Sequence, residues 1–273
     1  MPRRRGDMFP VRWLRPLLVV LIVGWVLLPL LPLPVWSVSA GWRWPDLLPQ
    51  QLSGRAWAYV LSPTAQALPA LLTSIVLALV VTALALAAGI PAALALGRRQ
   101  FRGRSLVELI VFAPILVPPL TVAMGLQVLL IRVNLADTFG GVVLVHLIFA
   151  LPYVVLILAS ACAALGPEWE QQARSLGAGV WRAFWHVTLP LLRPALTVAA
   201  LLAFLVSWGQ YALTLLIGGG QVWTLPLLVF SAARSSDPAL TAAAALLFIA
   251  PTVVFLGVAA RNLDQRDGGL GLL

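Results

Sequence analysis

Residues 68–96 read LPALLTSIVLALVVTALALAAGIPAALAL, and residues 97–104 read GRRQFRGR. The first stretch holds no Asp, Glu, Lys or Arg. It is longer than the roughly 20 residues an α-helix needs to cross a bilayer. The second places Arg98, Arg99, Arg102 and Arg104 directly at its end. Apolar runs of similar length occupy Leu14–Trp36, Leu106–Ile131, Val142–Ala164, Ala195–Ile217 and Leu240–Ala260. The expectation is an all-α, polytopic membrane protein with six transmembrane helices.

Composition points the same way. The 273 residues are 61% hydrophobic, or roughly 69% with the 21 glycines included, against about 45–50% in a soluble domain. Charged residues are 10%, against about 25% in a soluble domain. All 18 basic residues are arginine. With no lysine there is no P-loop lysine, no Schiff-base lysine and no Ser-Lys dyad, so the chain does not read as a nucleotide hydrolase. The single Cys162 forms no intramolecular disulfide.

Arginine placement sets the expected orientation. With the N-terminus in the cytoplasm, 14 of the 18 arginines fall in inside segments. Only Arg43, Arg55, Arg132 and Arg234 fall outside. That asymmetry predicts both termini inside. The first outer segment, with Trp42, Trp44 and Trp57, is expected at the outer interface, where tryptophans settle. A cleaved leader ending near Val38-Ser39-Ala40 is the alternative for the first run. Its length and its prolines, Pro29, Pro32 and Pro34, favour an uncleaved helix. The organisation expected is 1–66 as first helix and outer segment, 67–263 as the transmembrane domain, and 264–273 as a cytoplasmic tail.

The spans lack the groups that self-powered transport or catalysis uses. Glu108 lies close to an interface, and Asp46, Asp137 and Asp237 fall in outer segments. Ion-coupled transporters generally place an acid or a dedicated cation site within the membrane. His146 and His186 are expected on opposite sides, and no metal-ligand spacing or Gly-x-Ser-x-Gly elbow occurs. Gly218-Gly219-Gly220 lies outside without a lysine and reads as a flexible turn. The arginines are scattered over interfaces, so nucleic-acid binding has no support. Pro118 and Pro119, with Pro114, interrupt the third run, either to line a translocation path or as a packing kink. Ser207, Gln210 and Tyr211 fall within about one turn near the end of the fifth run. They read either as path-lining groups or as interhelical hydrogen-bonding partners.

Between the fourth and fifth runs lies the longest inside loop, Gly166–Arg193. Its apolar residues Ala173, Leu176, Val180, Phe184 and Val187 recur at helical spacing, broadened by Trp181 and Trp185. This is an amphipathic helical segment broken at Gly177-Ala178-Gly179 and ended at Leu189-Pro190. It could rest on lipid headgroups or dock in a partner's groove.

The run from Glu170 through Gln171-Gln172-Ala173 to Gly177-Ala178, then Trp181, Phe184 and Val187-Thr188-Leu189-Pro190, resembles the EAA loop of type I ABC-importer permeases. In that family the triplet begins six residues before the glycine, which places it on Gln171-Gln172-Ala173. The usual glutamate is therefore Gln171 here, with Glu170 beside it. Pro114 through Pro118-Pro119 to Gly125 is similar to the family's proline-containing third helix. Ser207-Trp208-Gly209-Gln210-Tyr211 and Thr224-Leu225-Pro226 are similar to the spermidine/putrescine-like branch. Relatives in that branch tend to carry acids where this chain has Gly209 and Gln210, which weakens a polyamine assignment; thiamine-, iron- and phosphonate-type systems stay open.

The resemblance implies a bacterial inner-membrane permease subunit for a small polar solute, a polyamine-like one among the candidates, with a second permease subunit in a homodimer or heterodimer. Two cytoplasmic ATPase subunits would use ATP, and a periplasmic or lipid-anchored binding protein would deliver the solute. The chain would bind no cofactor. The loop residues Gln171, Gln172, Ala173, Gly177, Ala178, Val180, Trp181, Phe184, Trp185, Leu189 and Pro190 would form a coupling helix, and Pro118, Pro119, Ser207, Gln210 and Tyr211 would line the path. A channel or secondary transporter is the alternative. The orientation gives a direct expectation. With Cys162 replaced, single cysteines in 217–238 should react with an impermeant maleimide in intact cells. Those in 98–104 and 164–193 should not, and outside labelling of 164–193 would overturn the topology.

Overall fold

The computed structural model describes residues 11–41 and 49–270. Trp42, Trp44 and Asp46 lie outside the described residues. The chain enters through α1 (Val11–Leu27), a 3-10 turn at Leu28–Leu30 and α2 (Pro32–Ser37). Pro29, Pro32 and Pro34 fall in this broken stretch, where their missing N–H groups disrupt a regular helix. A two-residue strand pair follows, β1 (Ser39–Ala40) antiparallel to β2 (Gln51–Leu52), and then α3 (Arg55–Val60).

The long helix α4 (Ala67–Arg98) contains the charge-free apolar run at 68–96. The third apolar run departs from expectation. It is not one kinked helix but two, α5 (Arg104–Leu116) and α6 (Pro119–Arg132), bent by 107°. Val117 and Pro118 are both extended, and Pro119 begins α6. A residue before proline is pushed out of the helical region, and two prolines in succession remove two N–H donors.

Then come α7 (Phe139–Leu165), α8 (Glu168–Ser175), α9 (Val180–Ala183) and α10 (Leu189–Leu191), with a π-helical turn at Phe184–Thr188 between the last two. The fifth run is also broken: α11 (Arg193–Trp208) ends at Gly209–Tyr211, and α12 (Ala212–Gly218) resumes beyond. The remaining elements are α13 (Leu225–Arg234) and α14 (Pro238–Leu270). Among the described residues, four segments are long and apolar enough to span a membrane, or six when each of two bent pairs counts as one.

The core forms where α4, α7, α11 and α12 meet. Leu77, Val81 and Ala85 of α4 pack with Val142, Phe149 and Val154 of α7, Ala199 and Ala203 of α11, and Leu213 and Ile217 of α12. Side-chain volume decides the spacing. A methyl group on Gly89 would stand 2.6 Å from Val154 Cγ1, and one on Gly97 would stand 2.5 Å from the Ala159 carbonyl oxygen. Small residues permit this close approach, which is how helices gain dispersion contact inside a bilayer.

Aromatic packing joins α11 to α14. Phe204 stacks on Phe255 at 4.0 Å, and Trp208 on Phe248 at 5.4 Å. At the other edge, Trp57 Nε1 donates to Ser37 Oγ at 3.2 Å, and Arg55 pairs with Asp237 at 2.6 Å. Burial pushes the Asp237 carboxyl up, but the Arg55 hydrogen bond and backbone N–H groups of Leu240 and Ala239 outweigh it and hold it below the usual carboxylate range.

The glycine contacts yield an expected outcome. Gly97→Leu should destabilise the purified protein by about 1–3 kcal/mol through overpacking. Gly125→Ala, where an added methyl meets nothing within 4 Å, should not. Thermal melting in detergent compares them, and equal melting temperatures would refute the tight α4–α7 contact.

Candidate functional site

The loop between α7 and α11 folds as a helical hairpin. Gly166, at φ +65°, turns the chain out of α7, and Glu168 and Glu170 occupy the first turn of α8, where carboxylates favour the helix dipole. At the other end of α8 the Gly177 N–H donates to the Arg174 carbonyl at 3.0 Å, and the Ala178 N–H to the Ala173 carbonyl at 3.0 Å. These two bonds make a Schellman turn, with Gly177 at φ +91° supplying its left-handed residue. The expected break at Gly177-Ala178-Gly179 is therefore a hydrogen-bonded reversal. Gly179 is extended, and α9 starts at Val180.

Beyond α9 the helix widens. The Leu189 N–H donates to the Phe184 carbonyl, five residues back, just before Pro190. The proline at 190 predicts a helix end at Leu189-Pro190, but the helix runs on to Leu191, and the bend of 71° into α11 falls after it. Proline is tolerated there because it sits in the first turn of a new short helix.

One ion pair fixes this hairpin to the membrane helices. Arg98, at the end of α4, donates to Glu170 Oε2 at 2.7 Å. The Thr188 hydroxyl donates to the same oxygen at 3.4 Å. Arg98 and Glu170 side chains are 15% and 25% exposed, so water screens the pair only partly. Spacing from Gly177 puts the expected glutamate position at Gln171, yet Gln171 and Gln172 are exposed and the inward contact belongs to Glu170. In sequence Arg98 reads only as an orientation signal.

The apolar stripe points largely outward. Leu176 is 89% exposed, Trp181 76%, and Val180 and Trp185 57% each. Phe184 is half-buried, edge-on to Trp181 at 6.5 Å and to Trp185 at 5.5 Å. Ala173, Ala178, Val187, Leu189 and Pro190 are also half-buried, while Ala183 and Thr188 form the buried face. Helical periodicity therefore marks an exposed aromatic surface rather than a stripe packed on the chain's own helices.

The residues expected along a path gather at two helix breaks. Pro118 and Pro119 are exposed at the α5–α6 bend. Ser207, Gln210 and Tyr211 bracket the α11–α12 break. Ser207 is buried, with its hydroxyl 2.9 Å from His146 Nδ1, and Thr214 Oγ1 is 3.0 Å from His146 Nε2. The Thr214 hydroxyl donates to the Gln210 carbonyl at 2.8 Å. Its oxygen therefore accepts from Nε2–H, which leaves Nδ1 to accept from the Ser207 hydroxyl in a neutral imidazole. His146, read from sequence only as a non-ligand, is a staple across the break. No periodic signal could have shown this, because its partners lie 61 and 68 residues away. Tyr211 stacks on Phe230 at 4.1 Å, and Arg234 lies over the same ring at 4.9 Å. The breaks are joined where Gln127 Nε2 donates to the Leu216 carbonyl at 3.2 Å. Among the described residues no three His, Cys, Asp or Glu gather as metal ligands.

Comparison with known proteins fits this geometry. The family model described as binding-protein-dependent transport system inner membrane component matches residues 89–266. The molybdenum transport system permease protein of Mycobacterium tuberculosis is 31% identical over 264 residues, covering 89% of this chain and 96% of its own. The putrescine transport system permease protein of Escherichia coli is 30% identical over 256 residues, covering 87% of each chain. A crystal structure of a bacterial ABC transporter that imports alginate shares the fold, with TM-score 0.73, 16% identity and coverage of 94% and 99%.

The hairpin anchor has a measurable consequence. Glu170→Ala should cost about 1–3 kcal/mol, between exposed and fully buried pairs. It should also raise hydrogen exchange across 168–191. Exchanging the charges, Arg98→Glu with Glu170→Arg, should restore part of the protection. Unchanged exchange in the single variant would remove the pair as the hairpin's anchor.

Proposed function

The chain belongs to the family of inner membrane components of binding-protein-dependent transport systems, and we propose how its hairpin and helix breaks serve that role. It is the permease component of an ABC importer and a multi-pass inner-membrane protein. The proposal has both termini in the cytoplasm, ATP hydrolysed in two separate ATPase subunits, and a second permease subunit completing the path. A binding protein delivers the solute from the outer side.

One observation carries the coupling role: an exposed aromatic surface on a segment that is itself pinned to a transmembrane helix. Val180, Trp181, Phe184 and Trp185 supply the anchors that fill an ATPase groove, since large rings dominate such interfaces. Gln171, Gln172, Ala173 and Ala178 flank them, and Leu189 and Pro190 lead into α11. A push on the hairpin passes through Glu170 to Arg98 and α4, and through the 71° bend to α11. Packed elements move as rigid bodies, so a displaced hairpin reorients the helices.

The path runs past the two breaks, with Pro118, Pro119, Gln210 and Tyr211 beside it and Ser207 setting the break through His146. The charge there argues against a polycation. Gln210 and Gly209 stand where carboxylates would attract one, and Arg234 on Phe230 adds a local positive charge. A small anionic or neutral polar solute fits better.

Two substitutions test the coupling. Gly177→Val forces a β-branched residue to φ +91°, a backbone conformation that resists it, although nothing stands within 4 Å of the new side chain. Phe184→Ala removes an anchor worth about 2 kcal/mol, or roughly thirtyfold in affinity. Both should insert normally but lose co-purifying ATPase subunits and solute uptake. Retained ATPase and normal uptake in both would refute docking through the hairpin.

A further inference from the structure

Between α4 and the hairpin lies a trench of about 700 Å³, within the range of roughly 300–1,000 Å³ for small-molecule sites. One wall is Ala87, Ile90, Pro91 and Leu94, whose spacing places them on one face of α4. Ala87 and Pro91 are exposed, so the chain's own helices leave this face open. From Ala87 to Arg98 the helix rises about 16 Å. That is close to half the roughly 30 Å hydrocarbon core, the depth of one leaflet. Trp181, Phe184 and Trp185 also line the trench.

Its charged end holds Arg98, Arg99 and Arg174 with Glu170. Glu170 pairs with Arg98. Among the described residues, no carboxylate stands within ion-pair distance of Arg99 or Arg174, and both are exposed. An apolar wall one leaflet deep therefore ends in two surplus positive charges beside tryptophans.

We propose that this trench binds one anionic phospholipid, with an acyl chain along the α4 face and the phosphate on Arg99 and Arg174. A soluble anion gains nothing from the apolar wall, and a zwitterionic lipid gains less from the two guanidinium groups. An anionic amphiphile uses both. Basic pockets between membrane helices hold anionic headgroups on the cytoplasmic side, guanidinium forks match phosphate oxygens, and tryptophan settles at headgroup level. The cytoplasmic placement rests on the orientation proposed above, while the lipid contact does not depend on it. The occupied trench braces the hairpin against α4 at the point where movement passes between them.

Val180, Trp181, Phe184 and Trp185 line the trench and also belong to the proposed ATPase surface, so the test reads lipid from the permease alone. The full chain is reconstituted in nanodiscs of phosphatidylcholine, with or without phosphatidylglycerol, then released into detergent, and its retained lipids are counted by native mass spectrometry. The wild type should retain one phosphatidylglycerol in preference to phosphatidylcholine, and millimolar inorganic phosphate should not displace it. The exposed-site double variant Arg99→Gln/Arg174→Gln should bind it roughly thirtyfold more weakly. Ile90→Trp, which fills the wall and keeps every charge, should also weaken it. Equal retention of the two lipids, no retained lipid in the wild type, displacement by phosphate, or unchanged retention in both variants would each overturn the site.

Discussion

Where α4 crosses α7, a methyl group on Gly97 would stand 2.5 Å from the Ala159 carbonyl oxygen and 2.9 Å from Cys162 Cβ. Gly89 meets Val154 as closely. Lipid tails are as apolar as leucine, so helices in a bilayer gain little by hiding hydrophobic side chains from it. They gain by packing closer to each other than to lipid, and glycine permits that. The two long helices form the frame on which α11, α12 and α13 are laid. Ser74 of α4 accepts the Leu225 N–H that starts α13, at 2.8 Å. α4 also carries Arg98, the attachment point of the hairpin.

Against this rigid pair, the parts proposed to line the path are the discontinuous ones. Broken helices leave backbone groups without helical partners, which hydrocarbon does not tolerate. The chain meets this with side chains. His146 bridges the α11–α12 break, Thr214 covers the Gln210 carbonyl, and Gln127 reaches the Leu216 carbonyl. His146 ties α7 to both α11 and α12, and Gln127 ties α6 to α12, so the α11–α12 break is held in a defined geometry.

The hairpin inverts the usual arrangement of a loop helix. Its apolar rings face outward, and a carboxylate faces in. A surface loop with Leu176 and Trp181 largely exposed would invite nonspecific association in a soluble protein. Here such a surface suits the docking role proposed for it. The inward carboxylate ties the hairpin to α4, and the Thr188 hydroxyl, itself within the hairpin, braces the same oxygen.

The class of fold, the approximate limits of the apolar runs, and the place and glycine break of the hairpin are all legible in the order of residues. These are local properties: hydrophobicity summed over a window, 3.6-residue periodicity, and the backbone preferences of glycine and proline. The prolines at 118 and 119 marked the third run as interrupted, yet a kink and a 107° bend leave the same trace in sequence. Tertiary structure alone decided that bend, the break at 209–211, and the choice of Glu170 over Gln171 as the inward carboxylate. It also decided the pairing of His146 with Ser207 and Thr214. Arg98 and Glu170 are 72 residues apart. No pattern within either segment encodes such a meeting, which exists only once α4 and α7 have packed and brought their ends together.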